Sequence, residues 1–231
     1  MEEFLSTYKY LVVVVLGLPS VMLAYLVFPD QRRMMFISGA VLSAFSPLIG
    51  IFQEEYWSPQ RLGGLVVGIE DYLLDFSIGS LLWLAMVWPF RERISFRLVP
   101  ARFALRFFAF LSLGVGFVLV LRWTAGIGIM HACVYGQILL SLLIVRLQKE
   151  LWVLPVAAAA LFTPYMLALH YSAAWMIPEY FSMWDGPTLL GPRLFGLPVE
   201  EILWALTFSS YTLLVAYSAD IRMAPSVAGS R

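Results

Sequence analysis

The sequence predicts an all-α integral membrane protein: a seven-transmembrane-helix bundle built from two parallel three-helix repeats plus a connecting helix. Three observations predict it. Hydrophobic residues make up 61% of the 231 residues and charged residues 13%, with a mean hydropathy of +0.83, whereas soluble domains hold about half and about a quarter. Seven apolar runs of about 20 residues, each long enough to cross a bilayer, use nearly all of the chain and leave no room for a separate soluble module. One acidic and aromatic pattern occurs twice, about 125–130 residues apart.

Span 1 is expected from about Tyr10 to Phe28, stopped by Pro29-Asp30 and Arg32-Arg33, and span 2 from about Met34 to Phe52. Met1 to Lys9 carries Glu2 and Glu3 and lacks a basic n-region and a small-residue cleavage site, so span 1 is expected to be retained. Gln53 to Val67, with Glu54, Glu55, Tyr56, Trp57 and Gly63-Gly64, reads as an aromatic-rich interfacial loop. Span 3 opens at Gly68-Ile69-Glu70-Asp71 and reaches about Trp88. A basic segment from Arg91 to Arg106 leads into span 4, which ends near Leu121. Span 5 (about Ile127 to Val145) and span 6 (about Leu151 to Leu169) are joined by a short charged link. Ser172 to Leu197 forms a second long loop, span 7 closes the bundle, and the tail after Arg222 reads as disordered.

Assigning the connections alternately to two sides leaves Lys9, Arg61, Arg122 and Arg193 on one side and the other eleven basic residues opposite. The positive-inside rule then predicts a multi-pass protein of the cell membrane with the N-terminus outside, the C-terminus cytoplasmic and both long loops outside.

The internal repeat spans both halves of the chain. Glu55-Tyr56-Trp57-Ser58, a Gly-containing loop, Gly68-Ile69-Glu70-Asp71 and an apolar span are echoed by Glu179-Tyr180-Phe181-Ser182, a Gly-containing loop, Leu197-Pro198-Val199-Glu200-Glu201 and an apolar span. Residues 1–90 would be repeat A (spans 1–3), 91–125 the connecting span 4, 126–221 repeat B (spans 5–7) and 222–231 a tail. An odd number of crossings separates the copies, so they run in the same direction. Glu70-Asp71 and Glu200-Glu201 are therefore expected to start their helices on the same side, facing one another across the bundle.

Ionisable residues inside a membrane bundle are functional-site candidates by default. Asp71, Asp75, Gly79 and Trp83 share one face of span 3 at four-residue spacing, and Asp75 lies more than one turn inside. Pro198 at the first helical position would place Glu200 near the third, and Glu200 leads into a stripe of Trp204, Phe208 and Tyr211. Such a site suits a cationic intermediate: a carboxylic acid delivers a proton, ring faces stabilise the cation, and a second carboxylate removes a proton. Glu70, Asp71, Asp75, Glu200 and Glu201 are the catalytic candidates, with Trp83, Trp204, Phe208 and Tyr211 as substrate wall. Like-charge repulsion within the cluster would leave at least one proton shared. Acidic residues in a first helical turn also serve simply as dipole and cap partners, and aromatic stripes simply pack; the repeat and the depth of Asp75 favour chemistry.

Other classes find little in the residues. Net charge is zero and the arginines are scattered, so no nucleic-acid partner is expected. Cys133 is alone and excludes a disulfide within the chain. His131 and His170, near the outer ends of their spans, read as hydrogen-bonded packing residues. No His or Cys pair has ligand spacing and no Gly-rich fingerprint follows a strand, so neither a metal nor a cofactor is expected. The oligomeric state is open, a homo-oligomer included.

Phe195-Gly196-Leu197-Pro198-Val199-Glu200-Glu201-Ile202-Leu203-Trp204 resembles the Pro-x-Glu-Glu signature of the small membrane lycopene cyclases, and Gly68-Ile69-Glu70-Asp71-Tyr72-Leu73 resembles its partner signature, with Gly68 where Pro is usual. The length, seven spans and two repeats resemble the fused form of that family across nearly the whole chain. The resemblance implies cofactor-free acid–base cyclisation of the linear ends of lycopene, an isomerisation with no net redox change in carotenoid biosynthesis. Glu70, Asp71, Glu200 and Glu201 would then supply proton donor and base in an order the resemblance leaves open.

Three alternatives stand beside it. Asp71-x-x-x-Asp75 prompts a membrane prenyltransferase acting on an isoprenoid diphosphate, which would need a second acidic cluster for magnesium. A retinal photoreceptor would need a Schiff-base lysine in span 7, where neither Lys9 nor Lys149 lies. A proton-coupled transporter of a lipophilic solute also uses parallel repeats and intramembrane carboxylates.

Overall fold

The computed structural model describes residues 7–53 and 55–224; the expectations for the first six residues, for Glu54 and for the last seven lie outside the described residues. Its helices are α1 (Lys9–Val27), α2 (Arg32–Ser43), α3 (Ile69–Val87), α4 (Pro100–Ala125), α5 (Ile129–Leu147), α6 (Val153–Met176), α7 (Val199–Thr207) and α8 (Ser209–Ser218). Among the described residues, six helical stretches are long and apolar enough to cross a membrane, and a bent pair, Arg32–Ser43 with Ser46–Phe52, would make a seventh. The fold is all-α and compatible with a multi-pass membrane protein.

Two spans are interrupted where one smooth helix was expected. The second bends by 46° between α2 and a 3-10 turn. Pro47 has no amide to donate back to Ser43 and disfavours helical geometry at Ser46, so the α-helical ladder stops there. The last span breaks at Phe208, between α7 and α8, beside Thr207, whose hydroxyl donates to the Leu203 carbonyl at 2.9 Å. Back-bonding of this kind bends helices. The sixth span continues to Met176, seven residues past its expected end, because Tyr171 to Trp175 carry no breaker.

α3 is the central element, packed against α1, α2, α6 and α8. It approaches α2 closely because both carry glycine at the crossing: a Cβ on Gly79 would lie 2.7 Å from the Ser38 carbonyl oxygen. α4 is the peripheral element, with only Phe107 and Gly114 fully buried along 26 residues, its inner side half-buried against α5 and α8. Exposed tryptophans mark both rims: Trp123 and Trp175 near the end that carries the two long loops, Trp88 and Trp152 at the opposite end.

Among the described residues, four two-residue strands appear that the apolar pattern did not announce. β1 (Ile94–Ser95) pairs antiparallel with β4 (Arg222–Met223), so the first residues of the expected disordered tail are instead clasped to the segment after α3. β2 (Arg193–Leu194) pairs with β3 (Leu197–Pro198) in a tight hairpin. Its two central residues, Phe195 and Gly196, both have positive φ (47° and 96°), the geometry that suits a two-residue hairpin loop.

The two long loops interlock over one end of the bundle. The Ser58 amide donates to the Met183 carbonyl at 2.9 Å and the Thr188 hydroxyl to the Glu55 carbonyl at 2.6 Å. Glu55 also pairs with Arg122. Lys9 donates to the Glu179 carbonyl and the Ser182 hydroxyl, both at 2.9 Å, fastening α1 to the second loop.

Candidate active site

The two acidic pairs hold the same positions in their helices. Gly68 is the N-cap of α3 and Pro198 the N-cap of α7, so Glu70 and Glu200 are second and Asp71 and Glu201 third. Pro198 thus sits one residue earlier than expected: its ψ of 143° is extended, and the helix begins at Val199.

Glu70 and Glu200 act alike. The Leu62 amide donates to Glu70 Oε1 at 2.6 Å and the Leu190 amide to Glu200 Oε1 at 2.5 Å, so each carboxylate holds its preceding loop over the helix start. Both glutamates are buried, and the second oxygen of each is buried with no hydrogen-bond partner. His131 Nε2 lies 3.7 Å from Glu200 Oε1.

The third positions diverge. Asp71 accepts the Gly68 amide at 2.7 Å, the return half of a capping box. It also accepts Arg61 through Nε at 2.6 Å and Nη2 at 3.1 Å, with both side chains fully buried. The guanidinium rests against the rings of Tyr10 and Trp57, 5.7 and 5.5 Å from their centroids. Both oxygens of Asp71 are therefore engaged. Pro198 has no amide hydrogen, so Glu201 has no N-cap donor to accept. Its carboxylate turns into the bundle instead: Oε2 accepts the Tyr56 hydroxyl at 2.6 Å and Trp184 Nε1 at 3.1 Å, and Oε1 lies 3.6 Å from His170 Nε2.

A further layer surrounds these contacts. His170 Nδ1 and the Tyr180 hydroxyl are 2.8 Å apart. Tyr56 and Tyr180 belong to the loops; burial first, and then the Glu201 carboxylate, pushes both phenols well above their ordinary value. They stay protonated, and Tyr56 remains a donor.

Glu201 opens onto a cavity of ≈ 120 Å³, and Asp75 of α3 lines the same cavity. Ser46, delivered by the bend in the second span, donates to Asp75 Oδ2 at 2.6 Å. Tyr10, Phe52, Trp57, Trp184 and Trp204 supply aromatic wall, with Trp57 and Trp184 stacked at 6.3 Å between centroids. No family model, curated protein or solved structure matches this chain. Its chemistry is therefore read from the cavity itself: two carboxylates from distant parts of the chain, one hydroxyl donor on Asp75, two donors on Glu201, and ring faces between.

The expected site is rearranged rather than dissolved. Asp75, Glu201 and Trp204 line the cavity, whereas Glu70, Glu200 and Asp71 are turned to loop amides and Arg61. The first half thus presents Asp75 to the cavity, one turn deeper than the pair expected to meet Glu200-Glu201. Phe208 stacks on Trp204 at 4.2 Å but stands outside the cavity lining. Tyr211 instead donates to the Ser38 carbonyl at 2.6 Å, joining the last span to α2. Trp83 is fully buried, its Nε1 donating to Gln31 at 3.2 Å near the opposite end of the bundle. Phe208 and Tyr211 continue the stacked stripe beyond Trp204, at 4.2 and 5.8 Å between successive centroids, and Trp83 lies about two helical turns past Asp75, so all three stand beyond the end of the cavity.

Arg61, Tyr56, Trp184, His170 and Ser46 are the partners that sequence reasoning missed. A signal existed for two of them. Tyr56 is one of the duplicated Glu-Tyr tyrosines, and the chain's two histidines lie on the loop side of spans 5 and 6, where the adjacent glutamates also begin their helix. Among the described residues no three His, Cys, Asp or Glu side chains gather as a metal group.

Proposed function

We propose that this chain is a cofactor-free cyclase that closes end rings on a linear polyene hydrocarbon, of the lycopene cyclase type. The observation that carries the reading is the placement of Asp75 and Glu201 on one aromatic-walled cavity beneath the interlocked loops. Asp75 donates a proton to a terminal double bond of the substrate. The tertiary cation so formed is attacked by the neighbouring alkene, which closes the ring and moves the charge onto it. Glu201, held by Tyr56 and Trp184, removes a ring proton and leaves an alkene. Bonds and protons balance: one proton enters, one leaves, and the product is an isomer of the substrate. The proton then returns from Glu201 to Asp75 before the next turnover, with His170 beside Glu201 as its first acceptor. Aromatic faces attract the cation without reacting as bases would.

The same reading treats the bundle as two parallel three-helix repeats joined by span 4, with the N-terminus outside and the C-terminus cytoplasmic. The matching roles of Glu70 and Glu200 support the duplication, and the basic residues at the end opposite the long loops support the orientation. Gly68 in place of proline fits as well, since it lets Asp71 serve as an anchor while Glu201 faces the substrate.

The test is pigment analysis of lycopene-accumulating cells that express the chain. Cyclic carotenoids are expected with the native sequence and only lycopene with Asp75→Asn or Glu201→Gln at matched protein levels. Full cyclisation by either variant would overturn the assignment.

One observation favours a second reading, a proton-coupled carrier. The bend in span 2 brings Ser46 to Asp75, in the manner of the broken helices that build transporter sites. Solute flux into vesicles, with no change in the solute's structure, would establish it. The prenyltransferase reading loses its motif, because Asp71 is engaged by Arg61 and Gly68 while Asp75 binds Ser46.

A further inference from the structure

Three helices that wall the cavity continue past it. On α3 and its C-cap, Leu74 and Ile78 line the cavity, while Leu81, Ala85 and Trp88 line a separate open groove of ≈ 410 Å³. These five positions follow a 4-3-4-3 spacing, a single stripe on one helix face. The same holds on α1, where Tyr10 and Val13 face the cavity and Ser20, Ala24 and Val27 face the groove. On α6, which runs the other way, His170 and Met166 belong to the cavity and Phe162 to the groove, each four residues from the next.

Gly17 occupies the step of the α1 stripe between cavity and groove. It carries no side chain there, and a Cβ would rest in ordinary contact with the Tyr165 hydroxyl oxygen at 3.7 Å and Leu169 at 3.8 Å. At this step Gly17 is buried, and the side chains nearest to it, Tyr165 and Leu169 of α6, separate the cavity from the groove. The groove is apolar apart from the hydroxyls of Ser20 and Tyr165, and it opens sideways between membrane-length helices. From Asp75 to Trp88 the α3 stripe runs about 20 Å at 1.5 Å per residue.

We infer that the groove between α1, α3 and α6 binds the unreacted apolar tail of the linear hydrocarbon whose end lies in the cavity. This rests on the cyclase reading of the cavity. The cavity alone is too small for more than an end group, and Tyr56, Trp57, Tyr180 and Trp184 of the loops line its other side, so the remainder of a long chain is directed along the three stripes, past the side chains of Tyr165 and Leu169. A tail longer than the groove emerges among lipid chains near Trp88. The site selects for length: a long open-chain hydrocarbon gains apolar contact along the groove that a short one does not.

Binding is measured on the full chain in nanodiscs, with Asp75→Asn present throughout so that a bound polyene is not consumed. Lycopene is the long probe, read by the visible circular dichroism that an achiral polyene acquires in a chiral site. The C10 triene myrcene is the short probe, read by tryptophan fluorescence. Adding Ala24→Trp fills the groove and is expected to weaken lycopene binding about tenfold or more while leaving myrcene within about twofold. Leu26→Trp, on the exposed side of the same helix, is expected to change neither. A diazirine-tagged linear C20 polyene, needing no groove substitution, is expected to crosslink to the Leu81–Trp88 segment of α3. Unchanged lycopene binding in the Ala24→Trp chain, or crosslinks confined to cavity residues, would overturn the groove assignment and leave the cyclase reading standing. Failure of both probes to bind without any groove substitution would overturn both, the groove then holding a lipid acyl chain only.

Discussion

Tyr56 and Glu201 stand 145 positions apart in the chain, yet the Tyr56 hydroxyl donates a hydrogen bond of 2.6 Å to the Glu201 carboxylate. Burial and that carboxylate keep the phenol protonated. A hydrogen bond to a charged group contributes about 1.5–3 kcal/mol. Tyr56→Phe is therefore expected to lower the initial rate of ring formation about ten- to a hundredfold, measured in membranes at equal protein content. An unchanged rate would make the contact architectural only.

Asp75, which accepts the Ser46 hydroxyl at 2.6 Å, is the proton donor on the cyclase reading. General acid catalysis contributes about 10²–10⁴-fold, so Asp75→Asn should leave less than about 1% of the rate. Ser46→Ala removes one neutral donor and should cost about tenfold. If Ser46→Ala proved as severe as Asp75→Asn, the acid would have to be assigned to the hydroxyl and carboxyl together.

Pro198 decides which way Glu201 faces. Pro198→Ala restores an N-cap amide of the kind that Gly68 offers Asp71, and Glu201 is expected to be drawn back into a capping box. Ring formation should fall about tenfold or more, while helix stability changes by no more than about 1 kcal/mol. Combining Pro198→Ala with Glu201→Gln should add no further loss, because both changes remove the same group from the cavity. Additive losses would show that Pro198 acts elsewhere.

Arg61 and Asp71 carry a different expectation. Removing one partner of a fully buried ion pair strands the other charge, at about 3–5 kcal/mol. Arg61→Met should lower the unfolding midpoint in denaturant sharply, and combining it with Asp71→Leu should recover much of the loss. A mild effect of Arg61→Met on its own would rule out the anchor role.

Alkaline pH offers a check on the loop tyrosines. Below about pH 10 the phenols are protonated in both folded and unfolded chains, and their contribution to stability is complete. Above it, the unfolded chain ionises while Tyr56 and Tyr180, with raised values, do not. Stability should then fall by about 1.4 kcal/mol per pH unit for each. Tyr56→Phe should flatten the decline by one such share when midpoints at about pH 9 and about pH 11 are compared. A parallel decline in the variant would mean that Tyr56 ionises when folded.

The spans were legible because a bilayer-crossing helix needs little more than an apolar run, and α1, α3 and α5 begin within about two residues of where those runs start. The acidic pairs were legible as paired helix starts. What each carboxylate touches was not, because its partner comes from a different element: Arg61 is ten residues from Asp71, but Tyr56 and Ser46 come from another loop and another helix than the acids they serve. The stripe of Trp204, Phe208 and Tyr211 keeps its helical spacing, but the cavity ends at Trp204, a limit that spacing alone does not give; Tyr211 ends on the Ser38 carbonyl instead.

The crossing of Tyr56 to Glu201 also orders events during biosynthesis. A ribosome releases the loop that holds Tyr56 long before the last helix, and contacts of such sequence separation form late. Until α7 enters the bilayer, the Tyr56 hydroxyl has no Glu201 to hold and, on the cyclase reading, Asp75 has no opposing base. On that reading a half-inserted chain would be chemically silent, with reactivity confined to a molecule that has finished assembling.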